Sequence, residues 1–448
     1  MKKNKIIYLQ IDGLSYSILK KALEDGYMPH LKKYLEIKNV NILKKRTVLP
    51  SSTVIFQAKL FYGLSENILG YRWYIKKKDK LISASFGDLM FELEGQIQMK
   101  KHGKFTRGVV FDSIFSGGSS NVSSLSMSAN AKSEISIKKS LKKILEYSFV
   151  NKPALALNVI KHIFIETKED FFGWLTINPK YRVKIKPILI LARSFGTGIL
   201  PHYSISKIFD EIRKETHPIY WNWEGYDMVA HRFGNKNKLT FNELKLMDGY
   251  ITKLLIMANR KGYVVKLFSD HGQTYSKIFQ RLNKKRLEDI LSEHLNLNKK
   301  LIAEFPDIYY SEDKNPKARI IILDGGPTSL IYFRDFKHRL SENEINKIYP
   351  GLIQRLISVN GIGMVAVKKN NKKISYFGRE KNPLHKYLLS SYEIKKLEKW
   401  AKMKNQADII LFGDFDGKEV VCFEDQISTH AGLGGIQMER FEVVFYPY

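Results

Sequence analysis

Five short motifs carry side chains that could bind a metal ion or act as a nucleophile. They are IDG at 11–13, PSST at 50–53, GYDMVAH at 225–231, SDHGQ at 269–273 and THAGLGG at 429–435. Together they supply three aspartates, three histidines and a group of hydroxyls. Nitrogen and oxygen ligands without a thiolate suit borderline divalent ions such as Zn²⁺. The combination indicates a site for two metal ions, although each motif alone has a simpler interpretation.

The IDG and GYDMVAH motifs each place an aspartate beside a predicted strand or helix. Asp12 follows an apolar run and precedes a helix, so it can be a ligand at the carboxyl end of a strand or a helix N-cap. Asp227 and His231 are four residues apart, which places both on one face of a helix. That spacing also fits two polar residues on a solvated turn.

The SDHGQ and THAGLGG motifs supply further candidate ligands. Asp270 and His271 end a second apolar run, where a carboxylate and an imidazole together could form a metal pair. His430 lies in a glycine-rich loop whose backbone can approach a ligand closely.

The hydroxyls of Ser51, Ser52 and Thr53 stand where a proline-containing loop runs into a helix. All three are good N-cap residues, and capping is the structural interpretation. The functional interpretation is a hydroxyl nucleophile at a helix N-terminus, where free N–H groups and the helix dipole favour an incoming phosphate.

The elements that must position these residues alternate between strands and helices, which predicts an α/β sandwich around a largely parallel sheet. Several of the apolar runs are continuous, as in strands covered on both faces. The predicted strands are 6–11, 264–269, 329–333, 364–369 and 408–412. The predicted helices include 14–25, 241–262 and 390–404.

One region interrupts this alternation. Residues 130–216 are basic, helix-favouring and rich in aromatic side chains, which predicts a helical insertion or cap between two parts of a catalytic core, 1–129 and 217–448. A basic amphipathic segment could contact an anionic membrane surface. A solvated helical subdomain that packs its aromatic residues inward explains the same pattern.

The composition is that of a globular protein with a strongly basic surface. A formal charge of +29 should attract an anionic partner, although lysine-rich usage throughout a proteome would give the same charge. Cys422 is the only cysteine, which fits a reducing compartment and excludes an internal disulfide. The sequence predicts neither a secretion signal nor a spanning helix, so a cytoplasmic location is expected, with peripheral membrane contact as an open alternative.

The order of the five motifs resembles the alkaline phosphatase superfamily, in particular the type I phosphodiesterase and nucleotide pyrophosphatase family. Further similar segments are NILGYRWY at 67–74, IFSGGSSNVSSLSMS at 114–128 and the C-terminal stretch from Cys422. The resemblance covers nearly the whole chain. It implies an alkaline phosphatase-like three-layer α/β sandwich and a metal-dependent hydrolase of phosphate esters, most readily of phosphodiesters.

The resemblance also implies roles for individual residues. Thr53 would be the nucleophile and form a phosphothreonine intermediate, because the family's nucleophile lies ten residues before the glycine that ends the helix, here Gly63. Ser52 replaces it if that register shifts by one residue. The two ions are expected to be Zn²⁺, with Mn²⁺ as the alternative. Asp227, His231 and His430 would hold one ion, and Asp12, Asp270 and His271 would hold the other.

Three positions depart from the family pattern. Phe56 occupies the place of an asparagine that helps hold the phosphoryl oxygen in nucleotide pyrophosphatases. Ala431 follows His430 where the family usually has glycine, which should preserve the ligand but crowd the loop. No arginine matches the phosphate clamp of the monoesterases, so the motifs do not favour monoester hydrolysis.

Several outcomes therefore stay open at the level of sequence. The same site could hydrolyse monoesters, transfer a phospho-headgroup to an acceptor other than water, or act on sulfate esters, although PSST does not resemble a sulfatase motif. A different class of function is a non-catalytic basic protein that binds a membrane or nucleic acid on this scaffold, but no specific nucleic-acid motif is present. The sequence does not indicate an oligomeric state.

Overall fold

The computed structural model describes residues 5–63, 68–84, 88–122, 142, 146, 153–176, 187–305, 315, 317–370 and 373–448. Within the predicted insertion at 130–216, residues 130–141, 143–145, 147–152 and 177–186 lie outside the described part of the chain.

Within the described residues, the main sheet has seven strands. They are β1 (Lys5–Ile11), β2 (Leu43–Arg46), β5 (Val109–Phe111), β6 (Asn121–Val122), β7 (Ile219–Trp223), β8 (Tyr263–Phe268) and β18 (Glu439–Phe445). Their order across the sheet is β2-β18-β8-β1-β7-β5-β6. The five neighbouring strands from β8 to β6 run parallel, and β18 pairs antiparallel with both β8 and β2.

A second sheet has six strands and is mostly antiparallel. Its strands are β10 (Ile302–Phe305), β11 (Ile320–Gly325), β12 (Thr328–Phe333), β13 (Ile362–Asn370), β14 (Lys373–Phe377) and β15 (Ile409–Gly413), in the order β10-β11-β12-β15-β13-β14. A small sheet joins β9 (Thr274–Ile278), β16 (Val420–Cys422) and β17 (Ser428–Thr429), and β3 (Arg72–Ile75) forms a hairpin with β4 (Lys80–Ser83).

Among the described residues, the helices of the first half of the chain are α1 (Tyr16–Glu24), α2 (Pro29–Lys38), α3 (Thr53–Tyr62), α4 (Asp88–Gln98), α5 (Pro153–Thr176), α6 (Pro187–Gly198) and α7 (Leu200–Arg213). Those of the second half are α8 (Gly225–Phe233), α9 (Lys238–Arg260), α10 (Phe279–Asn283), α11 (Leu287–Leu295), α12 (Glu342–Ile348), α13 (Leu352–Ser358) and α14 (Ser391–Ala401).

The main sheet is covered on both faces, as the side-chain alternation of β1 shows. Ile7, Leu9 and Ile11 pack with α1, α2, α7 and α9 on one face, whereas Tyr8 packs with α3 and the second sheet on the other. Helices α10 to α13 cover the far side of the second sheet. Apolar burial on both faces explains why the strand sequences are continuous runs.

The predicted fold class, a three-layer α/β sandwich around a largely parallel sheet, is confirmed. The five predicted strands and three predicted helices are present, with ends shifted by a few residues. Three of the strands, β12, β13 and β15, belong to the second, antiparallel sheet instead of the main one. The division of the chain at 130 and 217 stays a prediction. Among the described residues, no helix is long and apolar enough to cross a membrane.

Candidate active site

Three neighbouring parallel strands direct most of the candidate ligands to one edge of the main sheet. Asp12 follows β1, and Asp270 and His271 follow β8 closely, while β7 leads into α8 with Asp227. The carboxyl ends of parallel strands meet at the same edge, which is where ligands bind in open α/β sheets. The loop after β17 brings His430 to this edge, beside Asp227.

Gly13 allows the segments that follow β1 and β7 to approach each other. Its φ is +70°, a left-handed conformation that favours glycine. A Cβ atom at this position would lie 2.3 Å from Oδ1 of Asp227. The glycine of the IDG motif therefore allows the turn after β1 to pass close to Asp227 without strain.

The first group of candidate ligands surrounds Thr53, the first residue of α3. The Thr53 Oγ1 atom lies 2.9 Å from Nε2 of His271 and 3.4 Å from Oδ1 of Asp12. His271 Nε2 is 3.2 Å from Oδ2 of Asp270. Ligand atoms of Asp12, Asp270 and His271 lie within 4.8 Å of one another, close enough to share one ion.

The second group lies around Asp227. Its Oδ2 is 3.1 Å from Nε2 of His231, and its Oδ1 is 3.9 Å from Nε2 of His430. The set whose ligand atoms lie within 4.8 Å of one another contains Asp227, His430 and His271. The structure thus places His231 beside Asp227, while His271 lies between the two groups.

All three histidines are oriented by backbone carbonyl groups. Nδ1 of His231 is 2.8 Å from the Ser428 oxygen, Nδ1 of His271 is 3.0 Å from the Gly272 oxygen, and Nδ1 of His430 is 2.9 Å from the Ser51 oxygen. A carbonyl oxygen only accepts hydrogen bonds, so each Nδ1 carries the proton. The Nε2 atoms of His271 and His430 are then left with a free electron pair, as in metal-binding histidines, whereas Nε2 of His231 lies against the Asp227 carboxylate.

The carboxylates also fit a cation. Oδ2 of Asp270 is buried and has no hydrogen-bond partner within the described part of the chain, although it lies close to the His271 ring. Asn222 donates a 2.9 Å hydrogen bond to Oδ2 of Asp12, which leaves Oδ1 facing Thr53. A buried carboxylate oxygen without a donor is costly, and a bound cation would remove that cost.

The pKa values reflect a buried site with an excess of carboxylates. Burial and the neighbouring Asp227 raise the pKa of Asp270 to about 6. Burial lowers the pKa of His271 to about 4 and that of His430 to about 3, so both rings are neutral at pH 7, the form that binds metal ions. Burial also lowers the pKa of His231, but the Asp227 carboxylate outweighs it and the net shift is upward.

A profile of the type I phosphodiesterase / nucleotide pyrophosphatase family matches residues 6–349. The chain belongs to this family. Its enzyme class, a phosphodiesterase- or phosphatase-type hydrolase acting on ester bonds, agrees with the class predicted from the sequence. No curated protein matches the chain in sequence.

Several solved structures are similar to this family member along most of their length. The alkaline phosphatase PafA has a TM-score of 0.58 and 13% identity, covering 100% of this chain and 92% of PafA. Murine ectonucleotide pyrophosphatase / phosphodiesterase 5 in complex with AMP has a TM-score of 0.49 and 13% identity, covering 99% of this chain and 88% of the murine one. Phosphonoacetate hydrolase from Sinorhizobium meliloti 1021 has a TM-score of 0.48 and 12% identity, with 98% and 90% covered. The similarity to PafA supports the alkaline phosphatase-like fold.

Three side chains around the site of this phosphodiesterase-family protein received no ligand or catalytic role from the sequence. Asn222 supports Asp12, and Gln273 donates a 3.0 Å hydrogen bond to the Asp227 backbone oxygen. The Tyr71 phenol lies close enough to Asp12 and Thr53 for both to influence its pKa. Gln273 lies within the SDHGQ motif and could have been singled out, whereas the other two carry no spacing signal.

Phe56 packs beside Phe268 and Arg440. Its ring lies 6.0 Å from that of Phe268, and the Arg440 guanidinium lies 5.6 Å from its centre. The side chain packs against the apolar core. The position where the family has an asparagine therefore serves packing in this protein.

Proposed function

We propose that this protein hydrolyses phosphodiesters, with Thr53 as the nucleophile and two divalent metal ions, Zn²⁺ or Mn²⁺, as cofactors. The observation that carries the proposal is the position of Thr53 Oγ1, 2.9 Å from His271 Nε2 and 3.4 Å from Asp12 Oδ1 at the N-terminus of α3. A helix N-terminus presents free N–H groups to a phosphate. This position supports a nucleophile and an anion site at the same place.

The residues that would hold the ions are those predicted from the sequence. Asp12, Asp270 and His271 would hold the ion near Thr53. Asp227, His231 and His430 would hold the other. Bound divalent ions supply positive charge that stabilises the attacking and leaving oxygens of an in-line displacement.

The reaction then follows from the nucleophile. Thr53 Oγ1 gives up its proton and forms a bond to phosphorus while the bond to the leaving-group oxygen breaks, and that group takes up a proton and departs as an alcohol. Water then attacks the phosphothreonine, the bond from Oγ1 to phosphorus breaks, and Thr53 regains its hydroxyl. One water molecule is consumed, and the products are an alcohol and a phosphomonoester.

Tyr71 would donate a hydrogen bond to the phosphoryl oxygen. In related nucleotide pyrophosphatases an asparagine at the position of Phe56 does this, and phenylalanine cannot. Burial raises the pKa of the Tyr71 phenol well above its usual value, and the Asp12 carboxylate raises it further. The phenol is therefore a donor at neutral pH. Because it lies near Thr53 and Asp12, it could donate to a phosphoryl oxygen bound there, and such donors stabilise charge that develops in the transition state.

The proposal is tested with bis-p-nitrophenyl phosphate and p-nitrophenyl phosphate. Protein loaded with Zn²⁺ or Mn²⁺ is expected to hydrolyse the diester faster than the monoester. Chelator treatment and Thr53→Ala should each abolish diester hydrolysis, and Thr53→Ala should still bind metal. A protein that binds no divalent ion, or whose hydrolysis survives Thr53→Ala, would contradict the proposal. Faster hydrolysis of the monoester would favour the phosphomonoesterase alternative.

A further inference from the structure

Helix α5 exposes a row of large apolar side chains. The exposed fractions are 68% for Leu157, 62% for Ile160, 71% for Phe164 and 53% for Phe171. Their spacing of three, four and seven residues places them on one side of the helix, here called the outer face of α5. We propose that this outer face docks the protein onto the surface of an anionic lipid bilayer.

The described side chains of α5 are arranged differently from those of an ordinary surface helix. Glu166 is nine residues from Leu157, which is half a revolution away at about 100° per residue. It is buried and forms a 2.8 Å ion pair with Arg193 of α6. The helix thus turns a charged pair towards the protein and apolar side chains outwards, whereas a helix facing only water does the opposite.

The charges near the outer face favour an anionic surface over a neutral one. Lys161 and Lys168 are exposed and lie on the same side of α5 as the apolar row. Together with the net charge of +29, these lysines attract anionic lipid over a distance of about one Debye length.

The length of α5 suits a helix that lies in the plane of the interface. Its 24 residues span about 36 Å, and the helix is not apolar enough to cross a membrane. Insertion of the apolar row to the depth of the headgroups, with lysines beside it, is the arrangement of peripheral amphipathic helices. This inference does not depend on the proposed hydrolase activity.

Vesicle sedimentation tests the inference directly. Full-length protein is expected to bind vesicles that contain phosphatidylglycerol at least about 10-fold more strongly than pure phosphatidylcholine vesicles, and added salt should weaken the binding. The double variant Ile160→Asp, Phe164→Asp should reduce binding to anionic vesicles at least about 10-fold. Ile37→Asp is the matched control, because Ile37 is a 63% exposed apolar residue on α2.

Further measurements distinguish the possible outcomes. Thermal melting should show that the variants fold, and diester hydrolysis in solution should be unchanged. Lys161→Glu, Lys168→Glu should reduce binding to anionic vesicles only. Equal binding to both kinds of vesicle, no binding of the wild type, or a dimer that dissociates in the Ile160→Asp, Phe164→Asp variant would overturn the proposal, the last by showing that a second copy covers the outer face.

Discussion

Thr53 Oγ1 lies 2.9 Å from Nε2 of His271, and the Nδ1 atom of the same ring is held by the Gly272 carbonyl oxygen. The ring nitrogen that faces Thr53 therefore carries an electron pair and no proton. One side chain thus connects the proposed nucleophile with the candidate ligands, which makes the identity of the nucleophile the first point to test.

We expect Thr53→Ala to lower kcat for diester hydrolysis roughly 10³-fold or more, because no covalent intermediate can form. Acid-quenched wild-type protein should gain the mass of one phosphoryl group on the peptide that contains Thr53. Ser52→Ala is the matched control, since the buried Ser52 hydroxyl has no hydrogen-bond partner among the described residues. Loss of the phosphopeptide in Ser52→Ala instead would show that the register is shifted by one residue.

Asn222→Ala is expected to weaken binding of one of the two metal ions about 10-fold to 100-fold, because Asn222 fixes the orientation of Asp12. The ion held by Asp227 and its partners should be affected little. Metal titration against a competing chelator measures both affinities without any assay of activity. An equal loss at both sites would mean that the substitution disturbs the fold, and an unchanged affinity would remove Asn222 from the support of Asp12.

Tyr71→Phe should lower kcat for the diester about 10-fold or more while KM and the metal content change little, since a donor used in the transition state is removed. Steady-state kinetics of the metal-loaded wild type and variant measure kcat and KM separately. A rise in KM alone would assign Tyr71 to ground-state binding, and unchanged kinetics would exclude it from the site.

The candidate ligands could be predicted from the sequence because they follow strands in fixed motifs, and the structure brings them to one edge of the main sheet. Their roles as ligands stay a prediction. The second sheet could not be predicted. β12, β13 and β15 are buried on both faces like the parallel strands, so their sequences are continuous apolar runs of the same kind. A pattern of burial does not reveal strand direction.

The supporting contacts of the site also could not be predicted from the sequence. The histidines are oriented by carbonyl oxygens of Ser428, Gly272 and Ser51, and a backbone carbonyl belongs to every residue type. Asn222 and Tyr71 each act as single residues, and neither belongs to one of the five motifs. Only the fold brings such residues together.

Ala431→Gly is expected to stabilise the protein by about 1 kcal/mol. Ala431 has a φ of +70°, which costs a residue with a Cβ atom about 1–2 kcal/mol, and the added freedom of glycine in the unfolded chain offsets part of the gain. Gly432→Ala should destabilise the same loop, because a Cβ atom there would lie 2.6 Å from Cβ of Pro327. Chemical denaturation of both variants measures the two opposite effects, and equal shifts would contradict the strain at Ala431.

Glu243→Gln is expected to stabilise the protein at pH 8 and to have little effect at pH 4. Burial raises the pKa of Glu243 from 4.5 to about 7, and Trp223 Nε1 donates a 2.8 Å hydrogen bond to its Oε1. Between these two pKa values the folded protein holds a proton that the unfolded chain has released, so stability falls as pH rises through this range. By pH 8 this effect lowers the free energy of unfolding by roughly 3 kcal/mol relative to pH 4.

Glutamine keeps the acceptor for Trp223 and does not ionise, so the free energies of unfolding of the wild type and of Glu243→Gln should diverge between pH 4 and 8. Parallel curves over this range would show that Glu243 has an ordinary pKa.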